Sequence, residues 1–303
     1  MTAMRHDPSH RPGPNGRGLL TNGGDSTPGL PDGFLSIVVP AKNESASLPQ
    51  LVEEVAKAFR ALRARRGEDQ VHRLAGFELL IVDDGSTDDT QDVLWRLTAD
   101  YPELRGLVLA NNVGQSAATA AGFRAARGGW VAVLDADLQN NPADLATLWD
   151  ALPGHDAALG WRVKREDIWS KRIISKMANR TRNWVLGQSI RDTGCSVRIF
   201  SREMALRMPM FRGSHRFMGP LLLREGCRIA QLPVTHRPRP HGNSHYNIWN
   251  RSVQVVVDLL GVAWLMRRGV AYTVAGQIAD QSALASTQPT HLGIVRRTVG
   301  QEA

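Results

Sequence analysis

Trp130–Asn140 reads W-V-A-V-L-D-A-D-L-Q-N. Trp130 to Leu134 is an apolar run of strand length, and two carboxylates, Asp135 and Asp137, follow, with Gln139 two places on. Side chains of an extended chain alternate faces, so these three oxygen-bearing groups are expected on one side of a strand end. Hard divalent cations favour such carboxylate and amide oxygens and keep coordination sites open for water or phosphate. Taken alone, D-x-D more often just closes a strand and begins a turn, with Asn140, Asn141 and Pro142 behind it. The surrounding chain decides between the two.

Upstream, Phe34–Val39 is a short apolar run that stops at Pro40 and is followed by A-K-N-E. Ser47–Arg66 carries Leu48, Leu51, Val52, Val55, Phe59 and Leu62 at helical spacing, and its basic end suits the helix dipole. A second strand, Phe77–Val82, ends in D-D-G-S-T-D-D-T, where Thr87 or Asp88 is placed to cap a helix running to about Ala99. A third strand, Gly106–Leu109, leads through N-N-V-G-Q-S into an alanine-rich helix, Ala117–Ala126. After the central strand comes a helix over Pro142–Leu152, with proline suited to its first turn, and then a fifth strand at Ala157–Gly160. Strands alternating with helices predict an α/β fold with a mainly parallel sheet. Ligands of such sheets bind beyond the carboxyl ends of the strands. Three of the strands end in polar sequence, at Lys42-Asn43-Glu44, Asp83-Asp84 and Asp135-Ala136-Asp137.

Several function classes fall away. No G-x-G-x-x-G follows the first strand and no G-x-x-x-x-G-K-[ST] occurs, which argues against a dinucleotide dehydrogenase or a P-loop phosphohydrolase. Cys195 and Cys227 form neither a disulfide framework nor a zinc motif. The net charge of +8 points to anionic partners, yet aromatics make up only 6% and no nucleic-acid module is visible, leaving phosphates and membrane surfaces. Residues 1–33, rich in Gly, Pro, Asn and Ser, are expected to be disordered, and 269–303 poorly ordered. No signal peptide is expected, because the N-terminus has no apolar core. In 248–268 the apolar core is too short for a bilayer span, which needs about 20 residues. There Val255, Leu259, Val262 and Met266 form one stripe flanked by Trp249, Trp264 and Arg267-Arg268, which suits an interfacial helix or one packed on the domain.

The blocks V-V-P-A-K-N-E at 38–44, V-D-D-G-S-T-D-D-T at 82–90, N-V-G-Q-S-A-A-T-A-A-G-F at 112–123 and D-A-D-L-Q-N-N-P at 135–142 occur in this order. G-W-R-V-K-R-E-D at 160–167, D-T-G-C-S-V-R-I-F at 192–200 and R-P-H-G-N-S-H-Y-N at 239–247 complete the set. Together they resemble family 2 glycosyltransferases of the GT-A fold, a Rossmann-like nucleotide-diphospho-sugar transferase fold. Within that family they are similar to the polyprenyl-phosphate branch typified by dolichol-phosphate mannose synthase. The resemblance covers 35–247 and implies a catalytic domain over 34–247. It implies a metal-dependent, inverting transfer of a sugar from a UDP- or GDP-linked donor to a polyprenyl phosphate.

By the same resemblance Pro40, Ala41, Glu44, Asp83 and Asp84 line the nucleotide pocket, and Gly114 and Gln115 open a helix that faces the diphosphate. Asp135, Asp137 and Gln139 hold Mg2+ or Mn2+, with Ala136 between them against the donor. Asp192 is the candidate base or sugar-contacting acid. Arg162, Arg165, Arg172 and Ser175 fall where the family contacts the acceptor phosphate, and Arg239 and Ser244 come from a loop over the donor. The family's usual S-K-Y is Ser244-His245-Tyr246 here, which removes one cation and implies pH-sensitive donor affinity. Many relatives in this branch carry two transmembrane helices after the segment at 248–268, whereas 269–303 is polar here. The expected location is therefore peripheral at the cytoplasmic membrane face, without a transmembrane helix. Transfer to a soluble or glycan acceptor and a nucleotide-sugar binding protein without catalysis are the alternatives. The Q-x-x-R-W signature of processive synthases is absent.

Overall fold

A computed structural model of the chain describes residues 33–65, 73–163, 180–187, 189–238 and 248–268. Of the tails expected to lack order, 1–33 and 269–303, all but Gly33 lies outside the described residues. The elements begin with β1 (Phe34–Ala41), α1 (Leu48–Ala64), β2 (Gly76–Asp83), α2 (Thr90–Asp100), β3 (Leu104–Val108) and α3 (Gln115–Ala125). They continue with β4 (Trp130–Val133), α4 (Pro142–Asp150), β5 (Ala157–Arg162), β6 (Arg198–Ser201) and α5 (Arg202–Arg207). Then come α6 (Met218–Arg224), β7 (Ile229–Val234) and α7 (Ile248–Arg267). The strands form one sheet in the order β3-β2-β1-β4-β6-β5-β7. All neighbours are parallel except that β6 runs against both β4 and β5.

Alternation along β1 builds two cores. Leu35, Ile37, Val39 and Ala41 face one layer with Leu51, Val55 and Phe59 of α1 and Leu145 and Trp149 of α4. Val38, on the other face, joins Ala118 and Phe123 of α3, Leu221 and Leu222 of α6, and Val262 and Ala263 of α7. A sheet buried on both faces explains why β1 and β2 read as nearly continuous apolar runs. At Gly122, α3 comes so close to β1 that an added Cβ would collide with Val38.

Three expectations change. Strand β1 does not stop at Pro40; it continues to Ala41, pairing Pro40 with Val82 and Ala41 with Asp83. Pairing with β4 has ended at Val38–Val133, and the last bond on that side runs from Leu134 N to Val38 O at 3.2 Å. In a parallel ladder alternate residues bond to alternate neighbours. Pro40, two residues on, thus points its missing N–H where no ladder partner is required. Next, β4 ends at Val133, and Leu138 adopts φ 60°, so Asp135 to Gln139 lie on a turn rather than an extended strand. Their half-buried and buried residues nevertheless alternate, with 135, 137 and 139 the more accessible. Third, the N-cap of α2 is Asp89 rather than Thr87 or Asp88, and the helix begins at Thr90. Asp88 still serves that end, since its Oδ1 accepts from Thr90 N at 3.1 Å.

In α7, Val262 and Ala263 are buried, with Leu259, Leu265 and Met266 packed beside them. Much of the stripe suited to a membrane surface thus faces the protein. The outward face is apolar too: Val256, Val257, Leu260 and Trp264 are each more than half exposed.

Candidate active site

The ends of β1 and β2 are laced together before any ligand is considered. Asn43, held at φ 54°, accepts through Oδ1 from Thr87 N at 2.8 Å and donates its own N–H to Ser86 Oγ at 2.9 Å. Asp83 is fully buried and accepts from Ser86 N at 3.1 Å, Ser86 Oγ and Gln91 Nε2 at 2.7 Å. Asp84 accepts from Val113 N at 2.8 Å and Gly114 N at 2.9 Å, tying the loop before α3 to the end of β2. Glu44 accepts from Ser47 Oγ at 2.9 Å, and Pro40 and Ala41 are buried within β1. In this state both aspartates therefore shape loops.

Gly114 sits at φ 95°, where a side chain is disfavoured, and its N–H is spent on Asp84. The next residue, Gln115, heads α3 and donates from Nε2 to Asp135 Oδ1 at 3.1 Å. The helix start is thereby fixed to the first carboxylate of the D-x-D turn. Asp137 accepts from Gln139 N at 3.2 Å, and the Gln139 carbonyl accepts from Arg237 N at 2.8 Å. Asn140 bridges to His236, and Thr235 binds Asp144 through both N and Oγ1. The chain leading to Arg239 and Ser244 is thus pinned beside the carboxylate turn. Arg239, Ser244 and His245 themselves, like Arg165, Arg172 and Ser175, lie outside the described residues.

Asp135 opens onto a cleft of about 370 Å3. Four arginines, Arg162, Arg182, Arg198 and Arg216, line it against two aspartates, Asp135 and Asp192. Arg162 and Asp192 form a two-pronged pair, Nε to Oδ2 at 2.7 Å and Nη2 to Oδ1 at 3.0 Å, with side chains 12% and 11% exposed. Gly194 N adds a third bond to Asp192 at 3.0 Å. Burial opposes the Arg162 charge, but the bonds and charge of Asp192 outweigh it and raise its pKa. The sequence placed Arg162 at the acceptor and Asp192 at the sugar; the structure makes them direct partners in one wall.

Arg198 and Arg182 of this cleft, and Ser116, which bonds to its His215, carried no functional expectation. Arg198, 4% exposed, donates to the carbonyls of His215 (2.9 Å) and Thr193 (2.9 Å), and burial pulls its pKa below the ordinary arginine value. Arg182 donates to Thr193 Oγ1 and stacks on Phe217 at 5.7 Å, its pKa likewise lowered by burial. Ser116 Oγ accepts the N–H groups of Gly213 at 3.1 Å and His215 at 3.4 Å. Its hydroxyl also pairs with His215 Nδ1, 2.8 Å away. An arginine between Val197 and Ile199-Phe200 was the available signal for Arg198, since a charge in a strand core must be satisfied internally.

Among the described residues no cluster of three His, Cys, Asp or Glu side chains forms a closed metal cage. Two half-accessible carboxylates and an amide are the kind of oxygen donors that suit a Mg2+ site completed by water or phosphate. On that chemistry the residues fit a hard divalent cation.

A family model described as Glycosyl transferase family 2 matches residues 36–208. A dodecaprenyl-phosphate galacturonate synthase of Rhizobium johnstonii is 36% identical over 239 residues, covering 77% of this chain and 67% of that protein. An undecaprenyl-phosphate 4-deoxy-4-formamido-L-arabinose transferase of Aeromonas hydrophila is 32% identical over 229 residues, covering 75% and 67%. The chain thus spans about two thirds of the length of these curated relatives. In fold it matches glucosyl-3-phosphoglycerate synthase from Mycobacterium tuberculosis, solved with Mn2+, UDP and phosphoglyceric acid. That match has a TM-score of 0.57 and 20% identity, covering 76% of this chain and 78% of the other. The seven-stranded sheet is accordingly of the GT-A type.

Proposed function

The chain belongs to glycosyl transferase family 2, and from that premise we propose that it transfers a sugar from a UDP- or GDP-linked donor to a polyprenyl phosphate, with inversion at the anomeric carbon. The observation that carries this reading is the cleft lined by four arginines together with Asp135, itself bonded to the head of α3. Such a cleft favours two anions meeting, a diphosphate and an acceptor phosphate. The curated relatives named for polyprenyl-phosphate substrates support the acceptor class.

In the proposed reaction an oxygen of the acceptor phosphate attacks the anomeric carbon. The bond to the donor diphosphate breaks, and its electron pair leaves with the diphosphate. The acceptor's second ionisation lies near ~6, so it is already nucleophilic at neutral pH and needs no strong base. We assign Asp192 the role of holding Arg162 towards the anions and contacting the sugar. Gln115 and the first turn of α3 meet the diphosphate, with Gly114 allowing close approach. Asp135 and Asp137, with Gln139, would hold Mg2+ or Mn2+, which when bound neutralises the charge that grows on the leaving diphosphate. Arg239 and Ser244 join from the loop after β7, and Arg165, Arg172 and Ser175 meet the acceptor phosphate. Pro40, Ala41, Glu44, Asp83 and Asp84 shape the nucleotide pocket. We take residues 34–247 as the catalytic unit, resting peripherally on the cytoplasmic membrane face through the outer side of α7. Among the described residues no helix is long and apolar enough to cross a membrane.

The test is incubation with UDP- and GDP-sugars, Mg2+ or Mn2+, and a short polyprenyl phosphate. Transfer should occur with one donor, and Asp137→Ala should lower kcat about a hundredfold or more. Full turnover by that variant in the presence of a chelator would refute the mechanism.

A further inference from the structure

A second cleft, of about 720 Å3, adjoins the first and shares Gln115, His215 and Arg216 with it. Its size falls within the roughly 300–1,000 Å3 of small-molecule sites. Ala117 of α3 with Met210 and Phe211 supplies apolar wall, while Arg124, Arg212 and Arg216 supply cations. Among the described residues no carboxylate pairs with Arg124 or Arg212, and both are exposed. Asp258 of α7 is the single acid among the described lining residues. Burial raises its pKa, and the charge of Arg216 works the other way.

A soluble phosphorylated acceptor has no use for apolar wall beyond its phosphate, and a plain hydrocarbon has none for three arginines. A phosphomonoester on an apolar chain uses both. The helix that contributes Asp258 also presents Val257, Leu260 and Trp264 outward, so the cleft borders an element with an apolar outer face. We propose that this second cleft seats the phosphate-proximal isoprene units of the acceptor, whose phosphate reaches into the first cleft across the shared border of His215 and Arg216 while the chain runs towards α7. The proposal rests on the polyprenyl-phosphate reading above and assigns that substrate its path.

The experiment is steady-state kinetics with farnesyl phosphate as acceptor and phosphoglycerate as a soluble control. Arg124→Glu and Arg212→Glu each reverse an exposed charge of the cleft, away from the residues assigned to the donor. Melting curves and UDP and GDP titrations establish that each variant is folded. Each should raise KM for farnesyl phosphate about tenfold, near 1.4 kcal/mol, while KM for the donor stays at the wild-type value. Wild-type KM for farnesyl phosphate in both variants overturns the assignment and leaves the proposed function standing. A wild-type protein that glycosylates phosphoglycerate but no prenyl phosphate overturns both.

Discussion

Asp192 and Arg162 illustrate how one carboxylate can be read in two ways. From sequence it stood as a possible base; in the fold both its oxygens are engaged by one guanidinium. Removing one partner of a largely buried pair strands the other, at a cost of about 3–5 kcal/mol, whereas replacing both with apolar groups often costs little. Asp192→Ala should therefore lower the denaturant midpoint strongly, and Arg162→Met with Asp192→Leu should lower it far less than the two single changes summed. Strict additivity would show that the pair is not the structural unit described. The thiols give a pH prediction of defined sign. Burial, the largest cause in each case, raises Cys195 and Cys227 from 9.0 to about 11. The folded state then binds protons that the unfolded state has released between these values. The thiol contribution is whole below pH 9 and falls away as pH climbs towards 11. Denaturant midpoints measured from pH 8 to 10.5 should decline less in a Cys195→Ala, Cys227→Ala protein than in the wild type.

Helix α7 has two apolar faces with different duties. Val262 is buried in the core, so Val262→Asp places an unpartnered charge there and should unfold the protein or lower its melting point sharply. Leu260 and Trp264, 61% and 60% exposed, touch little, and Leu260→Ser with Trp264→Ser should shift stability by no more than about 0.5 kcal/mol per site. If the outer face meets lipid, the same pair should abolish sedimentation with anionic vesicles, since Trp favours the headgroup level. Vesicle binding that survives the double change would remove α7 as the contact. The parallel half of the sheet was legible because each β-α repeat carries its own apolar rhythm. Strands β6 and β7 were not. Arg198–Ser201 is four residues long and contains an arginine and a serine, and Ile229–Val234 contains Gln231 and Pro233. Neither run alternates cleanly, and nothing local announces that β6 runs backwards.

Across the whole molecule, the half of the candidate site that lies at strand ends could be located directly from sequence, since the carboxylates closing β2 and following β4 come where the apolar runs stop. The other half was hidden for two reasons. A run of cations such as 162–182 normally belongs to a solvated face, and only tertiary packing turns Arg182 inward. Ser116 and His215 lie 99 residues apart and meet only once α3 and the 213–217 turn are docked. The reversed strand has a further consequence. Because β6 opposes its neighbours, it starts at the rim where β4 and β5 finish, and Thr193, Gly194 and Ser196 reach the cleft by preceding a strand rather than following one. That segment is also calibrated in parity: adding one residue between Ser196 and Val197 would exchange the two sides of β6, swinging Arg198 off the cleft floor. Lengthening the chain after α5, on the far side of β6, would leave that phase untouched, so tolerance to insertion should differ sharply between the two ends of a single four-residue strand.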